Sequence, residues 1–118
     1  MTKAALFVGW GALIPGREEA AGNVLEGAIG WLTQLQQQGR IDSFEPVALG
    51  AHGGDLIGFV LVRGDRDAIA ELRYSDEFVR ITAQIQRVHQ AVGVVDAFTG
   101  PEMGQYFSYW DEPIKGLG

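Results

Sequence analysis

The sequence predicts an α+β domain in which four strands and two helical regions alternate in the order β-α-β-β-α-β. Three observations predict it. Apolar runs rich in strand formers recur four times, in AALFVGW, IDSFEPVALG, DLIGFVLVRG and AVGVVDAFTG. Stretches with helical periodicity separate the first run from the second and the third from the fourth. Between the second and third runs stand a few glycine-rich residues, which is hairpin spacing.

Ala4–Trp10 forms the first strand, ended by Gly11. GALIPGREE then leads into a helix, with Pro15 near the first turn and Glu18 and Glu19 at the positive end of the helix dipole. From Ala21 onward, Val24, Leu25, Ala28, Leu32 and Leu35 make one apolar stripe, opposite Gln34, Gln37 and Gln38, and Gly39 supplies the stop. Gly22, Gly27 and Gly30 each cost about 1 kcal/mol against alanine, so packing must hold this helix, with close approach to a sheet as one reason for them. Pro46 puts the second strand at an edge or a bulge, because proline cannot donate to a ladder. The third strand is almost wholly apolar and is expected at the centre.

In GDRDAIAELRYSDEFVRITAQIQ, Asp65 or Asp67 caps a short helix that breaks near Tyr74. Ser75 or Asp76 caps the next, on which Phe78, Ile81, Thr82, Ile85 and Val88 share a face. The fourth strand closes at Gly100-Pro101. A tail follows, residues 101–118, with four aromatics packed into Tyr106–Trp110 and expected to dock on the domain or on a partner subunit.

This order is the split βαβ, or ferredoxin-like, pattern: a four-stranded antiparallel sheet with both helical regions on one face. The strands LFV, LIGFVLV and AVGVVDAF are apolar on both pleat faces, where a half-solvated sheet should alternate. A second copy covering the bare face resolves that conflict, so the expected assembly is a homodimer joined through its sheet faces.

Composition narrows the function classes. The 118 residues form one domain of ordinary globular composition, 47% hydrophobic and 20% charged. A net charge of −6 and scattered basic residues give no face for displacing phosphate counterions or for holding an anionic membrane. There is no cysteine and there are two histidines, so no disulfide, thiolate site or zinc site is expected. No apolar stretch approaches the roughly 20 residues that span a bilayer, and the expected location is the cytoplasm.

The SDEF helix start (Ser75–Phe78) after the Gly64-Asp65 turn, with GWG (Gly9–Gly11), FEPVAL (Phe44–Leu49), HGGDLIGF (His52–Phe59) and GVVDA (Gly93–Ala97), resembles the dimeric α+β barrel superfamily. The likeness spans about residues 4 to 100 and runs closest to uncharacterised bacterial members. It is more distant from YciI-like proteins and from antibiotic-biosynthesis monooxygenases. It implies the fold and a homodimer, and no reaction. YciI-like proteins look for a histidine on or near the first helix, and none stands there. The monooxygenase likeness implies a pocket of Trp, Asn and His between sheet and helices, for which Trp10, Trp31 and His52 are counterparts by type.

GWGALIPG invites a dinucleotide reading, but the third glycine of that fingerprint is replaced by Ile14. No cofactor is expected; the plain reading is glycines that let Trp10 pack. In ALGAHGGDLIGF the glycines lead into a strand instead of a helix N-terminus, which removes the phosphate-cradle mechanism. A hairpin explains Gly50, Gly53 and Gly54 through positive φ; a site would need His52 oriented by Asp55 or another carboxylate. His89, where the second helix runs out, reads as a hydrogen-bonded structural histidine. Asp96 within VVDAF needs a partner such as Arg63, a polar pocket, or an exposed edge.

The expected role is therefore a small-molecule-binding or stress-type module. The alternative is a cofactor-independent enzyme acting on a small apolar or aromatic substrate. In that case His52 would be the base, Asp55 or Asp96 its orienting group, and Trp10, Trp31 and Arg63 the pocket lining.

Overall fold

The computed structural model describes residues 3–117. β1 (Lys3–Trp10), α1 (Glu18–Gln37), β2 (Ser43–Ala48), β3 (Gly58–Asp65), α2 (Arg66–Arg73), α3 (Asp76–Val88) and β4 (Gly93–Ala97) follow in the expected order. The sheet is antiparallel with spatial order β2-β3-β1-β4, the α+β ferredoxin-like arrangement. Pro46 lies on the edge strand β2, and β3 is interior, as the composition of each strand required.

Register fixes the two sheet faces, because successive side chains alternate. Leu6 pairs with Val62, and Val8 with both Val60 and Val94. These point to the helices and join Leu32, Leu35, Ile69, Leu72, Phe78 and Ile85 in one core. Leu6 and Val62 lose essentially all contact with solvent. The opposite face carries Phe7, Phe59, Leu61 and Val95, with Phe7 stacked on Phe59 at 5.1 Å. Among the described residues α1, α2 and α3 all pack on the other side, so this second face is left largely uncovered and Val95 remains 54% exposed.

Local chemistry sets the helix ends. Ser75 accepts from the Phe78 N–H at 3.3 Å, capping α3, while Asp65 at the start of α2 makes no side-chain cap bond. α1 begins at Glu18, three residues beyond Pro15, so the proline belongs to the loop and not to the first helical turn. Nothing lies within 4 Å of a Cβ built on Gly22, Gly27 or Gly30, so these glycines do not mark close approach to the sheet.

The loop between β2 and β3 runs from residue 49 to residue 57, a longer hairpin connection than the sequence suggested. Among its glycines only Gly53 has a positive φ, of 83°. Gly54 is needed for space instead: a Cβ there would meet the His52 ring at 2.7 Å.

After β4 the tail contains an element that the sequence reading did not foresee. Gly100, at φ 58°, turns the chain, and α4 (Pro101–Ser108) follows, succeeded by a 3₁₀ turn over Tyr109–Asp111. Gly-Pro was read as a stop, yet proline at the first helical position starts a helix, since its fixed φ is already helical and its missing N–H would be unpaired there.

Candidate ligand cleft

A cleft of about 250 Å³ opens between α1 and the helix-facing side of the sheet. Trp10 at the end of β1, Val60 of β3 and Pro46 of β2 make its floor, Leu25 and Leu32 of α1 its roof, and Ile85 and His89 its far end. Two side chains there carry titratable groups, Glu18 and His89.

The chain builds this end of the cleft from backbone. Gly11 and Ala12 exchange hydrogen bonds with Gln90 at 2.8 Å each, and Ile14 donates to the Val88 carbonyl at 2.9 Å. This short ladder clamps the loop after β1 to the end of α3. Gly11 is required for it, since a Cβ would stand 2.9 Å from the Gln90 oxygen. Gly58 has a parallel role: a Cβ there would strike the Trp10 indole at 2.8 Å. The glycines flanking Trp10 therefore serve packing, the plain reading of the GWG stretch.

The same clamp orients His89. Its Nδ1 lies 2.9 Å from the Gly11 carbonyl oxygen, and a carbonyl can only accept, so Nδ1 carries the proton. In the neutral ring Nε2 is then left with its lone pair; it has no hydrogen-bond partner among the described residues and is not fully buried. The ring lies tilted beside Trp10, 5.9 Å between centroids. A fixed tautomer with a free nitrogen on an apolar cleft is equipped to accept a hydrogen bond or a proton from a bound molecule. Glu18, in the first turn of α1, accepts from the Gly16 N–H at 3.3 Å.

The residues singled out from the sequence do not converge. Trp10 lines the cleft. Trp31 packs against the core from α1 and is absent from the cleft wall. Arg63 is on the opposite sheet face, paired in register with Ala5. Asp96 pairs in register with Leu6, hence on the helix side, and is bonded to Arg73 at 2.9 Å with its side chain 65% exposed. Of the three readings open for Asp96, the pair with Arg63 is corrected, since one residue faces the helices and the other faces away from them; an exposed place on the edge strand, with Arg73 as partner, is what the structure gives. His52 is exposed and clasps its own loop, with Nδ1 accepting from the Gly54 N–H at 3.2 Å and Nε2 donating to the Leu56 carbonyl at 2.6 Å. Asp55 shares that loop without bonding to the ring. Sequence reasoning gave His89 a hydrogen-bonded structural role, and its bond to Gly11 agrees with that; the unengaged second nitrogen beside the cleft was not foreseen. The one signal in the sequence was its place just past a helix end. Among the described residues no group of three His, Asp or Glu side chains is placed to hold a metal ion.

The fold has solved counterparts. A dimeric ferredoxin-like protein of unknown function from Jannaschia superposes with a TM-score of 0.64 at 11% identity, over 82% of this chain and 99% of its own. A protein of the dabb family with a ferredoxin-like fold from Mesorhizobium loti gives 0.65 at 12%, over 85% and 99%. A candidate antibiotic biosynthesis monooxygenase from Bacteroides thetaiotaomicron gives 0.58 at 14%, over 83% and 90%. No protein-family model and no curated sequence matches the chain. The chain thus has the fold of the dimeric ferredoxin-like proteins, a group whose similar members are mostly of unknown function. No helix among the described residues is long and apolar enough to cross a membrane.

Proposed function

We propose that this chain is a homodimeric module that binds a small apolar or aromatic molecule in the cleft between α1 and the sheet. The observation that carries the reading is an apolar cavity with one backbone-anchored histidine, His89, in its wall, whose Nε2 has no partner among the described residues. Binding sites are built this way: apolar walls supply affinity and a few fixed polar groups set orientation. A volume of about 250 Å³ exceeds the roughly 150 Å³ cavity that takes benzene, so a molecule of one or two rings fits. The homodimer would form through the bare sheet face of Phe7, Phe59, Leu61 and Val95; proteins of similar fold that are dimeric support the dimer, and the exposed apolar face is the reason for placing it there. The acidic, cysteine-free composition suits the cytoplasm.

The second reading is a cofactor-independent enzyme on the same kind of molecule. The free lone pair of His89 favours it, since a general base needs an unengaged nitrogen beside the substrate. His52 has committed both of its nitrogens to its own loop and would have to release one. The Bacteroides thetaiotaomicron counterpart agrees with this alternative at the level of fold.

Native mass spectrometry of freshly purified protein, beside its denatured mass, tests the first reading. It is paired with titration by 1-naphthol, followed by tryptophan fluorescence. Retained mass or saturable quenching, abolished by Ala28→Phe in the cleft, supports the site. No retained mass together with no saturable quenching by the intact protein sinks it. His89→Gln separates the two readings: a binding module keeps most of its affinity, whereas an enzyme loses turnover with the dimer intact.

A further inference from the structure

The segment after β4 is ordered into helical turns, and beyond its root it makes little contact with the body. The root is held where Pro101 and Glu102 lie beside Ala5 and Ala97 and where Tyr106 stacks on Phe98, 4.2 Å between centroids and 13° from parallel. Beyond that root α4 packs chiefly against its own 3₁₀ turn. Met103, Phe107, Tyr109, Trp110, Ile114 and Leu117 all face solvent, Trp110 at 73% and Leu117 at 70%. The radius of gyration is 16.4 Å. A compact domain of this length has about 13.5 Å, so the segment projects from the body as an arm.

Eight structures of similar fold are covered over 90–100% of their own length and cover 80–86% of this chain, so part of this chain lies outside the shared fold.

We infer that residues 101–117 are an exchange arm whose aromatic side chains and acidic tip pack on a second copy of this chain. The inference rests on the proposal that the bare sheet face pairs with that second copy. Three features point to this occupant. An aromatic patch of this size left in water is an association site, and a two-fold dimer offers each arm an equivalent surface. The arm begins beside the bare face, since Ala97 at the end of the edge strand β4 and Pro101 and Glu102 at the start of α4 line one groove with Ala5 and Arg63 of that face.

Charge is the third feature. Asp111 and Glu112 follow Trp110 at the tip of the arm. Arg63 stands half-buried on the bare face with no ion pair among the described residues, beside a groove of about 260 Å³ whose lining includes Ala5, Ala97, Asp42 and Glu102. Asp42 is already held by Lys3 and Glu102 makes no bond to Arg63, so a guanidinium buried there gains from further carboxylates, and the partner's arm carries two.

The absence of cysteine makes the test clean. The Trp110→Cys chain, labelled with a benzophenone maleimide, is mixed with an affinity-tagged copy and irradiated, and sedimentation gives the dimer dissociation constant. The expected result is cross-linking between chains, with dissociation constants raised tenfold or more by truncation after Gly100 and by Phe107→Ser in the full-length chain. The full-length variant decides the matter if the truncated chain does not fold. An intact dimer with cross-links within one chain only, and an unchanged dissociation constant, overturns the arm and leaves the sheet-face dimer standing. An intact chain that is monomeric at all concentrations overturns both.

Discussion

His52 and His89 show how much a histidine's role depends on where its two nitrogens go. Both nitrogens of His52 bond to the backbone of one exposed loop, so its first effect is to hold residues 52–56 in place. We expect His52→Ala to cost about 1 kcal/mol in urea unfolding, the usual net worth of hydrogen bonds that water can replace. Affinity in the α1 cleft should stay unchanged; a large loss of affinity would tie the loop to the site. His89 gives one nitrogen to the Gly11 carbonyl and keeps the other. Beside it, Gly58→Ala would push a methyl into the Trp10 indole. Overpacking of that kind costs about 1–3 kcal/mol, and the displaced indole should alter both the fluorescence spectrum and naphthol binding. The residue types of this site stand plainly in the sequence. Their meeting does not, because Trp10 and His89 are far apart in the chain and are joined by a backbone ladder that no motif announces.

At the scale of elements, α1 departs furthest from good helical practice. Its glycines have open space above them, so Gly27→Ala and Gly30→Ala should each stabilise the protein by about 0.5–1 kcal/mol in thermal unfolding. Destabilisation would mean that another surface approaches there in the assembled protein. Ser75→Ala should cost about 1 kcal/mol, because its oxygen caps α3.

The start of β1 is tied to its neighbours by Lys3, which bonds Asp42 and Asp65 at 2.8 Å each. Those hydrogen bonds, to Asp42 first and then Asp65, hold the Lys3 ammonium well above its ordinary value. A raised pKa stabilises the fold fully below the unfolded-chain value of about 10.4, and the contribution fades as pH rises through the folded value. Lys3→Met should therefore cost little at neutral pH, since the pair is exposed and screened by salt, and should flatten the alkaline end of a stability–pH curve.

For the whole molecule, the sheet has one face buried by helices and one left apolar and bare. Leu61→Asp places a charge at the middle of that bare face, in register with Phe7. It should leave the monomer folded by circular dichroism and shift sedimentation from dimer to monomer; an unchanged dimer would exclude the sheet-face interface. Leu6→Ala, in the closed core, should instead cost about 2–5 kcal/mol whatever the assembly, because it leaves a cavity between sheet and helices. The exposed aromatic arm points to the same conclusion as the bare face: this chain carries more apolar surface than one copy can bury.

The sequence by itself determined the order of elements, the edge place of β2, the interior place of β3 and the existence of a second apolar sheet face. All of these follow from local periodicity and from what proline and β-branched residues permit. It also indicated that neither glycine motif is a phosphate cradle. Only the tertiary structure decided the site. It put Asp96 and Arg63 on opposite sheet faces, moved Trp31 out of the cleft, bound His52 to its own loop and freed one nitrogen of His89. Those outcomes depend on register and on which backbone groups meet across the fold, and a shift of one residue in register would have reversed several of them.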